Sequence, residues 1–193
     1  MPSISAVFAT VLLFALVAIA AYTDASRHRI YNWTTYPGIV AGLLLAAAGW
    51  IFEAAAPSAA RAWQPIVGWL ALGDAVGGFL VCGVAMLVCF VLFPIGGGDV
   101  KLLAMIGALA GLSRGLEVLL WTFIFGGCLG LIVLIWKLGA VAIIRRAWHL
   151  LLGVVSLGIW LRPPTEERET LKLPVFLGPC AALALIATFV PWR

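Results

Sequence analysis

Between Asp74 and Asp99 the chain runs through 24 residues, Ala75 to Gly98, without a charge, and beyond Lys101 it runs through 12 more, Leu102 to Ser113. An apolar run of about 18 residues or longer matches, as a helix, the hydrocarbon core of a bilayer. Inside that core every backbone polar group must find a partner within the protein, so only helices and closed barrels span it. Runs this long exceed barrel strands, which leaves helices. Composition agrees: 64% of residues are apolar and 10% charged, with a mean hydropathy of +1.15, against about 25% charged in an ordinary globular chain. The fold class read from this is an all-α polytopic membrane protein, with about six transmembrane helices plus a short interfacial or re-entrant helix.

The expected spans are about 4–23, 33–52, 70–94, 99–113, 116–136 and 173–190, in a single integral-membrane domain covering 1–193. The first apolar stretch, Ile4 to Tyr22, has no basic segment before it and reads as a span rather than a signal peptide. Glu53 to Gln64, with Pro57 and Arg61, reads as a polar connection. The basic stretch 137–172 reads as a cytoplasmic loop; its apolar part, Ala147 to Leu161, is short for a span and is the expected interfacial or re-entrant helix. Lys and Arg fall nine to three on alternate sides of these spans, which places Arg27, Arg29, Lys101 and the 137–172 loop in the cytoplasm. The net charge of +4 is therefore topology information and implies no nucleic acid partner. Cys82, Cys89, Cys128 and Cys180 lie inside apolar runs without close pairing and read as small buried hydrophobes.

Acids are the informative residues. Asp costs about 2.5–3.5 kcal/mol at the centre of a membrane helix, so one kept near bilayer depth has a partner or a task. Asp24 ends the first span and Asp99 begins the fourth, both on the cytoplasmic side. Two carboxyl groups in a low-dielectric site do not both ionise easily and titrate as a coupled pair. One then serves as general base on a water while the other donates to a substrate carbonyl, which is peptide hydrolysis without a metal or cofactor. Gly96, Gly97 and Gly98, just before Asp99, let another backbone approach closely. Asp74 lies on the opposite side and reads as the N-cap of its own helix or an interfacial residue. Gly38/Gly42, Gly73/Gly77, Gly107/Gly111 and Gly126/Gly130 read as close-packing faces. No H-E-x-x-H, G-x-S-x-G or Walker pattern competes. Two other classes fit the acids less well: a small proton- or ion-coupled transporter subunit, which would hold them near mid-bilayer on broken helices, and a non-catalytic assembly protein.

Gly96-Gly97-Gly98-Asp99-Val100-Lys101-Leu102 resembles the G-x-G-D-x-K-L pattern of type IV prepilin peptidases, the GxGD aspartic proteases. Asp24 followed by Arg29-Ile30-Tyr31-Asn32 is similar to the family's first aspartate and its R-I-P-N element, with Tyr31 in place of the proline. Leu173-Pro174-Val175-Phe176-Leu177-Gly178-Pro179 is similar to the start of the family's last helix. The resemblance implies Asp24 and Asp99 as the catalytic pair, with Gly96, Gly98 and Lys101 shaping the loop or binding substrate. It implies as substrates prepilin or pseudopilin precursors with a basic leader, a glycine before the cleaved bond and an apolar helix after it, and as location the bacterial inner membrane. Long members carry a C-x-x-C zinc domain and N-methylate the new terminus; only Asp24 to Trp33 stands in that place here. The chain is thus similar to the short, peptidase-only form of tight-adherence pilus systems, and methyltransferase activity is not expected.

Overall fold

The computed structural model describes residues 7–92, 96–138 and 177–189. Every regular element among them is a helix: α1 Val7–Arg27, α2 Asn32–Ala55, α3 Pro57–Val67, α4 Leu72–Leu92, α5 Gly97–Leu138 and α6 Leu177–Phe189. The interfacial helix expected at 147–161 lies outside the described residues. The chain divides into two compact units. Met1–Phe125 with Phe176–Arg193 forms the first. In the second, Gly126–Val175, the described part is the end of α5, with Leu129, Leu131, Ile132 and Trp136 exposed.

Four stretches among the described residues are long and apolar enough to cross a bilayer: Phe8–Arg27, Asn32–Ala55, Pro57–Leu92 and Gly97–Val133. The expected count of six is not reached there: the last expected span, 173–190, is described as a helix of 13 residues, Leu177–Phe189, too short to be counted, and two others join at Gly111. Its backbone (φ 82°, ψ 176°) is non-helical and belongs to the region only glycine enters freely. Residues eight apart in a straight helix stand about 12 Å apart. A Cβ on Gly115 would instead lie 3.0 Å from the Cα of Gly107, so the chain reverses at Gly111 without a loop. The spans expected at 99–113 and 116–136 are arms of this one hairpin.

Asp74 holds the reversal. It was expected as the N-cap of its own helix or an interfacial residue, but α4 begins at Leu72 and the Asp74 N–H bonds the Ala71 carbonyl. Its Oδ1 instead accepts the Leu112 N–H at 3.0 Å, pairing one of the donors that the start of the second arm leaves open. At the Gly73/Gly77 face expected to pack, nothing among the described residues would meet a Cβ on Gly73 within 4 Å and one on Gly77 would touch Leu112 Cδ2 at 3.9 Å, whereas one on the adjacent Gly78 would run into the backbone of Gly107.

The first arm of α5 is the centre of its unit. From Leu102 to Gly111 every residue is buried, as befits a helix segment of leucine, methionine, isoleucine and small residues with no polar face. Around it stand Leu13, Val17 and Ala20 of α1, Met86 of α4 and Ala181, Ala184 and Leu185 of α6. α2 presents a stripe of small residues, Gly38, Gly42, Ala46 and Gly49. A Cβ on Gly42 would come within 3.1 Å of the Ala108 carbonyl oxygen, so this stripe lets α2 lie directly on the central arm.

The expected polar connection 53–64 is helical over much of its length. Pro57 occupies the first turn of α3, where a missing N–H costs nothing, and Gly68 ends it in the left-handed conformation, donating its N–H to the Gln64 carbonyl at 2.8 Å. Trp69 then donates Nε1–H to Glu53 Oε1 at 2.9 Å and packs edge-on to Phe52. Among the cysteines, Cys82 and Cys180 are buried as expected, Cys89 is half-buried and Cys128 is exposed.

Candidate active site

α1 carries Asp24 in its last turn and then stops at His28, whose φ of 53° is the one positive value among the described non-glycine residues. The His28 N–H closes the helix on the Asp24 carbonyl oxygen at 2.9 Å, an end usually given to glycine or asparagine. Arg29 and Ile30 lie outside any regular element, Tyr31 is extended (φ −81°, ψ 140°), and α2 begins at Asn32. Arg27 Nη1 donates to the Tyr31 hydroxyl at 3.2 Å across the turn.

Asp99 enters from the opposite direction in sequence, in the first turn of α5, where its N–H bonds the Gly96 carbonyl at 3.1 Å. Two of the preceding glycines have distinct steric tasks. A Cβ on Gly98 would lie 2.9 Å from Ile30 Cβ, so this glycine lets the segment before α2 close over the start of α5. A Cβ on Gly96 would lie 3.0 Å from Asp99 Oδ2 and crowd the carboxylate itself.

The two acids meet. Asp24 and Asp99, each 9% exposed, line one cleft of about 370 Å³ together with His28, Arg29, Ile30, Tyr31, Asn32, Gly96 and Gly98. Of the residues singled out from sequence, Asp24, Asp99, Gly96 and Gly98 are therefore brought together. Lys101 is not among the residues lining the cleft. Its Nζ donates to Asn32 Oδ1 at 2.8 Å and sits 4.8 Å from the centre of the Tyr36 ring, which ties the first turns of α5 to the start of α2. Asp74 also lies outside the cleft, occupied at the hairpin.

Sequence reasoning missed a backbone donor. Gly178, in the first turn of α6, gives its N–H to Asp24 Oδ2 at 2.9 Å in a buried setting. A Cβ there would lie 2.8 Å from the same oxygen, so glycine is the residue that lets α6 approach. Pro179 follows at no cost, since N–H groups in a first turn have no partner within their own helix. The signal was the glycine and proline at 178 and 179, singled out only as a resemblance. Among the described residues, no three His, Cys, Asp or Glu side chains gather as a metal ion would require.

A family model described as the type IV leader peptidase family matches residues 11–131. The chain belongs to the type IV leader peptidase family. No curated protein and no solved structure matches it. The matched stretch takes in α1 through most of α5, and with it Asp24, Gly96, Gly98, Asp99 and Lys101; α6 lies beyond it. Membership and four apolar helices of spanning length make the chain a multi-pass membrane protein with a peptidase role, and lend the transporter alternative no support.

Proposed function

We propose that this leader peptidase is an aspartic endopeptidase of the bacterial inner membrane that removes the basic leader from type IV prepilin or pseudopilin precursors at the cytoplasmic face. The observation that carries the reading is the shared cleft: two buried carboxyl groups, 75 positions apart in the chain, face the same space from the end of α1 and the start of α5. Two acids so placed supply general base and general acid to one reaction.

In the proposed reaction the ionised acid takes a proton from water as its oxygen attacks the scissile carbonyl, and the protonated acid gives its proton to the carbonyl oxygen. The tetrahedral intermediate collapses when the leaving nitrogen is protonated by the acid that had served as base, while the other carboxylate takes back a proton from one of the intermediate's hydroxyl groups. The C–N bond breaks and the pair again holds one proton. Gly178 fixes one Asp24 oxygen and so restricts how that carboxyl group turns. Gly96 leaves the Asp99 carboxyl group uncrowded, and Gly98 lets Ile30 close over the start of α5 at the edge of the cleft. The reading is peptidase-only, without N-methylation of the product.

The test is cleavage of a co-expressed precursor in membranes, followed as a gel shift. Loss of cleavage in both Asp24→Asn and Asp99→Asn at unchanged accumulation supports the proposal. A parent that cuts no such precursor, or cutting retained by both variants, removes it.

A further inference from the structure

We propose that the non-helical segment Arg29–Tyr31, which ends in extended conformation at Tyr31, is a docking edge, on which the main chain of the substrate pairs as an added strand beside the two carboxyl groups. The proposal rests on the peptidase reading above and names how its substrate is held. Three features of the segment support it. First, most of its backbone groups have no backbone partner among the described residues. Among the described residues no backbone hydrogen bond engages the N–H of Arg29, Ile30 or Tyr31 or the carbonyl of Arg29 or Ile30; the bonds at its margins run from His28 N–H to Asp24 and from Thr34 N–H to Tyr31. Unpaired main-chain groups along an extended stretch are what an incoming strand pairs with.

Second, its side chains alternate. Ile30 packs against the hydrophobic core and over Gly98, whereas Arg29 is exposed and Tyr31 meets the exposed Arg27 through its hydroxyl. One inward residue between two outward ones is the alternation an edge strand shows, and all three residues line the cleft. Third, the edge is already held in place. Arg27 grips Tyr31, Lys101 grips Asn32, and Ile30 is seated on Gly98, so pairing orders little that was loose. The occupant follows from location: the segment walls the same cleft as Asp24 and Asp99, so what lies against it is the stretch containing the scissile bond. An extended stretch also exposes that bond, which a helix buries in its own hydrogen bonds.

The probe is a synthetic precursor peptide with a basic leader, a glycine before the scissile bond and an apolar helix after it. Single cysteines are placed at successive peptide positions across that bond and tested for disulfide formation with Arg29→Cys or Tyr31→Cys, each in Asp99→Asn protein in liposomes. Pairing as a strand gives cross-links that recur every second peptide position, with the pattern displaced by two between the two anchor sites. The unaltered protein supplies a second measurement that no folding defect can spoil. Methylating alternate peptide amides lowers kcat/KM about tenfold, the worth of about one lost hydrogen bond, while methylating the intervening amides changes it less than about threefold. Cross-links at a spacing of three and four, or an equal effect of every methyl group, overturn the docking edge while cleavage by the parent leaves the peptidase reading standing. A parent that does not cut the peptide removes both.

Discussion

The first arm of α5 has an aspartate at each end, and the two ends use the same side chain in opposite ways. At the hairpin end, Asp74 is spent on structure: Oδ1 takes the Leu112 N–H and Oδ2 lies against Gly111, where no Cβ fits. At the cleft end, Asp99 faces a second carboxyl group across open space. Asp24 stands between these cases, one oxygen committed to Gly178 while the group still lines the cleft. Burial separates them in part, since Asp24 and Asp99 are buried and Asp74 is half-buried. What marks them further is the shared space, since Asp24 and Asp99 line one cleft and Asp74 is not among its lining residues.

That contrast is broken most directly by the isosteric amide. Asp99→Asn is expected to lower kcat for precursor cleavage about 100-fold or more, the scale of a lost general acid or base. Asp74→Asn, which keeps an oxygen to accept the Leu112 N–H, is expected to stay within about threefold, since a capping asparagine serves about as well as aspartate. Liposome assays at matched protein levels compare the two, and equal losses would erase the distinction.

Gly178→Ala sharpens the intermediate case. Its Cβ would press on Asp24 Oδ2, and a displaced catalytic group costs on the order of 10- to 100-fold. The loss should fall on kcat, with KM nearly unchanged. Next in size is Asp74→Ala, which strands the Leu112 N–H and should cost about 1 kcal/mol of stability, seen as a lower melting temperature in detergent. Cleavage per folded molecule should survive. Smallest is Gly73→Ala, with open space at its Cβ and an expected stability change within about 0.5 kcal/mol. Gly78→Ala beside it meets the Gly107 backbone and should cost about 1–3 kcal/mol in the same melt.

What could be read in the sequence followed from local rules. Uncharged run lengths report helices in lipid, and an acid at the end of such a run stands out because the bilayer makes it expensive. Asp24 and Asp99 were legible for that reason. The reversal near Gly111 was legible as a boundary but not as a loop-free hairpin, because φ at one glycine decides the difference. α3 was obscured by its polar residues and two prolines, although Pro57 and Gly68 are ordinary start and stop signals. The partners of Asp74 and Lys101 were not legible at all. They lie 38 and 69 positions away, and no local pattern encodes a contact at that range.

The Gly178–Asp24 bond has a consequence for the order of events during synthesis. The donor is 154 residues downstream of the acid it orients. At translation rates of about 5–20 residues per second, Asp24 leaves the ribosome roughly 8 to 30 s before Gly178 does. During that interval α1 through the hairpin can assemble, yet the carboxyl group at the end of α1 lacks the contact that orients it. A chain that stalls ahead of α6 therefore lacks the donor that holds the Asp24 carboxyl group.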